Sequence, residues 1–245
     1  MPSAAGGSLP PASPGAWRTR RANTAVHSRH QLLRIRPEAW AGVLDRAPGI
    51  PELAGDEREL LAGWAERGWP VIVRRPAPGE TRGISVGLPM PPSLGKRRIG
   101  LTVPVRAVAR MFPLVALEEA AASAAPRMRP QIDAVLALGR RLALRPAVFG
   151  ALLWQHLTGL SYLRPASDLD LLWPTPDRDI QADLLAGLER IDERGPVRLD
   201  GEVLFSGGAG VNWRELHAEI GRPAGAVLVK SMEGAELRCV RTLFA

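Results

Sequence analysis

The chain has 245 residues, 46% of them hydrophobic, so it can bury a sizeable core as one large domain or two small ones. Its formal net charge is +7, and all its basic residues except Lys96 and Lys230 are arginines, a skew that genome bias and a polyanionic partner explain equally well. The single cysteine, Cys239, excludes an internal disulfide or a cysteine-built zinc cluster, and no window has the apolar length of a membrane span, so a reducing, cytoplasmic setting is expected.

Residues 1–27 are rich in Pro, Gly, Ser and Ala, carry several arginines and contain no acid. Too little there can be buried to offset ordering entropy, which predicts a disordered basic extension. From His30 the pattern becomes globular, and neither His27 nor His30 is given a role. Residues 56–67 read as a helix, with Asp56 as its cap and Leu60, Leu61 and Trp64 as one apolar stripe. Residues 71–73 and 85–88 read as buried strands. A Pro/Gly loop over 89–95 then delivers three adjacent cations, Lys96, Arg97 and Arg98, to a further strand at 99–103.

Helices are expected over 114–124 and 132–144, with the run 125–130 between them dividing the chain. That gives an N-terminal domain over 28–125 and a catalytic domain over 126–245. A helix opens at Phe149-Gly150 and stops at Gly159, a strand follows through the aspartates at 168 and 170, and a helix covers 177–192. Strands are expected at 197–205 and 226–230. Trp154, Trp173 and Trp213 read as core, His156 as packed or surface-exposed, and Cys239 as a buried small hydrophobe. The fold class is α+β: a small mixed sheet with helices on one face, preceded by a smaller α/β domain that recognises substrate or partner.

Asp168 and Asp170 say most about chemistry. On a strand, alternate side chains share a face, so both carboxylates point one way while Leu169 and Leu171 point the other. Like charges so placed repel unless a cation lies between them, and Mg²⁺ takes such oxygen ligands while sharing them with phosphates. A third carboxylate comes from residues 198–203, where Asp200 and Glu202 repeat the two-residue spacing. Asp200-Gly201 also reads as a hairpin turn. The strand is preferred because residues 206–208 offer a better-placed turn, with Asp200 as the third metal ligand and Glu202 as its alternative. Gly150 lets backbone approach a phosphate at a helix N-terminus, and Ser167 joins it among the substrate-binding residues.

The order of glycine, Asp-x-Asp and later acid is similar to the polymerase-β-like nucleotidyltransferases. Two features depart from their pattern: Ala151 stands where they have serine, and the gap from Gly150 to Asp168 is longer. Residues 88–98 (LPMPPSLGKRR), 154–163 (WQHLTGLSYL), 167–173 (SDLDLLW) and 198–202 (RLDGE) resemble a narrower family. These are the phosphoribosyl-dephospho-CoA transferases, or malonate decarboxylase holo-acyl-carrier-protein synthases, and the resemblance runs from about His30 onward. It implies transfer of the phosphoribosyl-dephospho-CoA group from 2′-(5″-triphosphoribosyl)-3′-dephospho-CoA to a serine of an apo acyl-carrier subunit, with loss of pyrophosphate. Metal at Asp168, Asp170 and Asp200 would support that reaction. Lys96, Arg97 and Arg98 would suit the triphosphate, Lys230 is a second candidate, and the positive surplus would attract an acidic carrier. The alternatives are a nucleotidyltransferase using an ordinary nucleoside triphosphate, and a nucleic-acid-binding module. An aromatic content of 5% and the lack of a nucleic-acid motif argue against the second.

Overall fold

The computed structural model describes residues 27–47, 50, 52–80 and 82–244; apart from His27, the expected extension lies outside them. The first unit runs β1 (Leu32–Ile35), α1 (Pro37–Leu44), α2 (Gly55–Ala62), β2 (Val71–Val73), β3 (Ile84–Pro89), β4 (Arg98–Val103) and β5 (Val108–Phe112). Its five strands lie in the order β4-β3-β2-β1-β5, and every pairing is antiparallel. This corrects the expected α/β arrangement. Parallel neighbours need a crossover of about a dozen residues or more, whereas β3 and β4 are joined by a tight hairpin. Within it Pro89 pairs with Arg98, and the Met90 N–H donates to the Arg97 carbonyl at 2.7 Å.

Helix α2 is shorter than its pattern suggested. The Glu57 carboxylate, rather than Asp56, caps the start by accepting the Ala54 N–H at 2.9 Å. The chain leaves the helix after Ala62, and Trp64 is fully buried with its indole N–H donating to the Pro70 carbonyl at 3.0 Å.

The second unit runs α3 (Leu117–Ala120), α4 (Arg129–Arg141), β6 (Ala147–Val148), α5 (Gly150–Thr158), β7 (Leu169–Pro174), α6 (Gln181–Arg194), β8 (Leu199–Leu204), β9 (Gly210–Asn212), α7 (Trp213–Glu219), β10 (Ala226–Lys230) and β11 (Ala235–Cys239). Its sheet order is β11-β10-β9-β8-β7-β6, with β7 and β8 parallel across α6 and the other pairings antiparallel. The helix expected over 114–124 starts late, as one α-helical turn over 117–120 that tightens to 3-10 over 121–123. The backbone at Val115 and Leu117 hydrogen-bonds to Val148 and Pro146, so helix begins only after that pairing. Leu117, Ala120 and Ala124 pack with Met128 and Ile132 in the second core, so packing divides the chain nearer 113–116 than 125–130. Helix α5 and strand β10 keep their expected bounds, and all three singled-out tryptophans are buried.

Two cores result, and they touch. In β1, Leu33 and Ile35 enter the first core while Leu32 enters the second. In α5, Leu152 and Leu153 belong to the second core while Trp154 crosses to the first, 5.9 Å from the Trp64 ring. Cys239 is exposed, not buried, because β11 is an edge strand with all five residues exposed. No helix among the described residues is long and apolar enough to cross a membrane.

Candidate active site

Leu169, Leu171 and Trp173 are drawn into the second core, which turns Asp170 to the opposite face of β7. Parallel pairing with β8 then sets Asp170 directly opposite Asp200. Asp168 stands one step before the strand, its Oδ2 3.7 Å from an Arg198 guanidinium nitrogen. The three aspartates feel one another. Burial, then the charges of Asp200 and Asp168, push the Asp170 carboxyl up to about 6, against the opposing pull of the Ala151 N–H and Arg98. Asp200 Oδ1 accepts from its neighbour's Gly201 N–H at 2.8 Å and from Asn212 Nδ2 at 3.0 Å.

Two glycines make this arrangement possible. Gly150 has φ +65°, and a Cβ there would overlap the Asp170 carboxylate. The start of α5 thus makes room for the aspartate: the Ala151 N–H donates to its side chain, and the Phe149 N–H to its carbonyl at 3.1 Å. The helix N-terminus expected to face a phosphate already serves a carboxylate. Gly201, with φ +144°, lies in mid-strand, where a Cβ would overlap the Leu171 carbonyl of β7. Asp200-Gly201 is therefore strand, and the alternative hairpin reading falls.

The cationic run separates into three fates. Arg98, at the start of β4, is the member whose charge reaches Asp170. Arg97 pairs with the buried Glu57 carboxylate at 3.6 Å, and Lys96 is exposed in left-handed backbone at φ +55°. The hairpin carrying them is pinned to the second unit: the Tyr162 hydroxyl donates to the Pro89 carbonyl at 2.8 Å, and an Arg164 guanidinium nitrogen to the Pro92 carbonyl at 3.3 Å. Gln155 shapes the intervening segment, its carbonyl oxygen accepting the N–H groups of Tyr162 and Leu163 at 3.1 and 3.0 Å. Ser167 Oγ accepts the Arg164 N–H at 2.8 Å and so closes the turn before β7.

Glu202 and Lys230 meet each other, apart from the Asp170–Asp200 pair. Glu202 pairs across from Leu172, two positions beyond the Asp170–Asp200 pair, and its carboxylate meets Arg29 at 3.0 Å, His30 at 3.4 Å and Lys230 at 3.5 Å. Burial works against its charge, but hydrogen bonds and charge from His30 and Arg29 hold it at about 2. Glu202 is thus an ion-pair hub rather than a third ligand, and Lys230 is engaged by it. His30, given no role by sequence, bonds Glu202 and lies 5.0 Å from the Phe149 ring. Nothing in the sequence near Arg29 signals that contact. Arg198 was legible in principle, standing just before β8 and two residues ahead of Asp200.

Among the described residues no group of three or more His, Cys, Asp and Glu is gathered so as to hold a metal ion. Asp168, Asp170 and Asp200 nonetheless supply oxygen donors only, and the repulsion that raises Asp170 is what a hard divalent cation relieves. As placed, Asp168 faces Arg198 and Asp200 is engaged by Asn212, so only the oxygen chemistry of the set, and not its present arrangement, matches what Mg²⁺ takes.

Comparison with known proteins matches residues 28–113 to the family model of the phosphoribosyl-dephospho-CoA transferase MdcG N-terminal domain, and 116–240 to that of its C-terminal domain. The chain is 40% identical over 206 residues to a phosphoribosyl-dephospho-CoA transferase of Bradyrhizobium diazoefficiens, covering 84% of this chain and 87% of that protein. It is 37% identical over 221 residues to a protein of the same description from Xanthomonas euvesicatoria pv. vesicatoria, covering 88% and 96% respectively. A third, from Azotobacter vinelandii, is 31% identical over 202 residues, or 73% of this chain and 81% of that one. No solved structure matches the chain.

Proposed function

Because the chain belongs to the phosphoribosyl-dephospho-CoA transferase family, we propose that it installs the prosthetic group of malonate decarboxylase on that enzyme's apo acyl-carrier subunit. The donor is 2′-(5″-triphosphoribosyl)-3′-dephospho-CoA. A carrier serine oxygen attacks the phosphorus nearest the ribose, a new P–O bond forms, the bond to the outer two phosphates breaks, and pyrophosphate departs. The serine proton passes to a carboxylate of the aspartate group, within which Asp170 is the buried central member. Arg98 stands close enough to act on Asp170 and so to neutralise phosphate oxygens brought beside it. Arg198 and Arg164 add positive charge at the same rim, with Lys96 on the exposed hairpin tip.

Bound at Asp168, Asp170 and Asp200, Mg²⁺ would offset the charge of the triphosphate and of the departing pyrophosphate. The β7–α6–β8 unit, with aspartates opposed on parallel strands behind a glycine-led helix, supports a polymerase-β-like nucleotidyltransferase fold for the second unit. A net charge of +7 suits an acidic carrier, and the lone exposed cysteine is in keeping with a cytoplasmic setting.

One observation carries the reading: Asp170 and Asp200 face each other on two parallel strands, and Asp170 also feels Asp168 just before its strand and an arginine supplied by the first unit. The test mixes purified protein, the triphosphoribosyl donor, Mg²⁺ and apo carrier. Pyrophosphate should be released, and one carrier serine should gain the mass of phosphoribosyl-dephospho-CoA. Turnover of ATP or CTP without carrier, in place of that mass gain, would overturn it.

A further inference from the structure

On the helical side of the second sheet, α4 and α6 lie antiparallel with a groove of about 490 Å³ between them. Its floor is apolar, formed by Leu138, Ile191 and Ala134 above the point where Gly187 meets the Leu138 side chain. Its rim carries Arg141 from α4 and Arg190 and Arg194 from α6, all exposed, and no acid lines it. None of these three arginines forms an ion pair or hydrogen bond among the described residues. The groove does not end at α6. Gly195 and Pro196 also line a second depression together with Asp192, Arg198 and Arg214, in which Arg214 is paired with Asp192 at 2.6 Å. Arg198 in turn lies 3.7 Å from Asp168. Buried Gln131 fixes this corner, its amide nitrogen donating to the Val197 carbonyl at 2.8 Å and its oxygen accepting the Val197 N–H at 3.3 Å.

We propose that the α4–α6 groove is the docking surface for the acyl-carrier acceptor, receiving an acidic, amphipathic helix of that protein. The inference rests on the transfer reaction proposed above and adds the surface that presents the serine. The match is one of charge and polarity together. Unpaired arginines around an apolar floor favour an element with acids on its flanks and apolar side chains between them. The rim then leads around the end of α6, past the paired Asp192 and Arg214, to Arg198 beside Asp168, which joins the groove to the aspartates. A nucleotide is a poorer occupant, because the floor offers apolar side chains and the arginines stand apart on two helices rather than converging as a phosphate clamp.

The test is steady-state transfer to apo carrier by wild-type protein and by an R190E/R194E double variant, with donor affinity measured separately by equilibrium binding. The carrier KM should rise about tenfold or more and lose most of its salt dependence, while kcat and donor affinity stay within about twofold. R141E, on the opposite helix, should act in the same direction and serves as the readout if the double variant does not fold. An unchanged carrier KM in soluble, folded variants overturns the docking assignment and leaves the proposed reaction standing. Weakened donor binding with an unchanged carrier KM also overturns it, by making the groove a nucleotide site. Failure of the wild-type protein to modify carrier at all instead removes the proposed reaction, and this inference with it.

Discussion

Asp170 carries a cost of burial that the proposed reaction would put to use. Its carboxyl is pushed up to about 6 from an ordinary 3.8, so the folded chain resists ionising it. Below about pH 4 the group is protonated in folded and unfolded chains alike and contributes nothing. Between about pH 4 and 6 the unfolded chain ionises first, stability falls, and the penalty is constant above that window. Asp170→Asn should therefore stabilise the metal-free protein by up to about 3 kcal/mol at pH 8 and leave it unchanged at pH 3.5, as read from urea midpoints. On the reaction proposed above, the same variant should lose transfer activity by about a hundredfold or more, because it takes away the ionisable carboxylate at the centre of the three aspartates. Equal destabilisation at both pH values would contradict the burial argument. Gly150→Ala tests the same spot from the other side. A methyl group there collides with the carboxylate in backbone that already has φ +65°, so kcat should fall by at least about tenfold, with a stability loss of about 1–3 kcal/mol.

At the scale of elements, the β3–β4 hairpin matters because it carries Arg98 to a site built by the other unit. Tyr162 holds it through a hydroxyl bond to the Pro89 carbonyl at 2.8 Å. Tyr162→Phe leaves the ring in place and removes only that bond, so stability should drop by about 1–2 kcal/mol and the donor KM should rise, with kcat little changed. A fall in kcat without change in KM would show that the hairpin does not position the donor. Much of this was legible in sequence. The 88–98 phrase, the 154–163 phrase and the aspartate strand mark the hairpin, its anchor and the site, and α5 and β10 fall where periodicity placed them. What sequence did not carry were the pairings set by distant contacts. The 114–124 run scores as helix, yet its first residues pair with 146–148 instead. Glu202 has the spacing of a ligand, but Arg29, Lys230 and the His30 ring from elsewhere in the chain reach it, and no local pattern announces Arg29 or His30.

At the scale of the molecule, the question is whether two units act as one. Their sheets are separate, but three kinds of link cross between them. Trp154 of α5 sits in the first core, 5.9 Å from Trp64 and 6.5 Å from Tyr162. Arg75 donates to the Ser231 carbonyl at 3.1 Å. Glu202 of β8 binds Arg29 and His30 of the segment leading into β1. The last of these has a pH signature. Held at about 2 against an ordinary 4.5, Glu202 adds stability that is fully present above about pH 5 and fades as pH falls toward 2. Glu202→Gln leaves Arg29 without its anionic partner at a site only 12% exposed, so it should cost about 2–3 kcal/mol at pH 7 and much less at pH 3. If the units are coupled, tryptophan fluorescence, which reports both cores, and far-UV circular dichroism should give one coincident unfolding transition in wild type. That transition should stay single, shifted to lower urea, in Glu202→Gln. Trp154→Ala, which opens the junction of the cores at a cost of about 3–5 kcal/mol, should split it if the apolar contact rather than the ion pairs holds the units together. Two separate transitions in the wild-type protein would mean that Arg98 reaches Asp170 through a loose hinge, and the site would then have to be assembled by substrate.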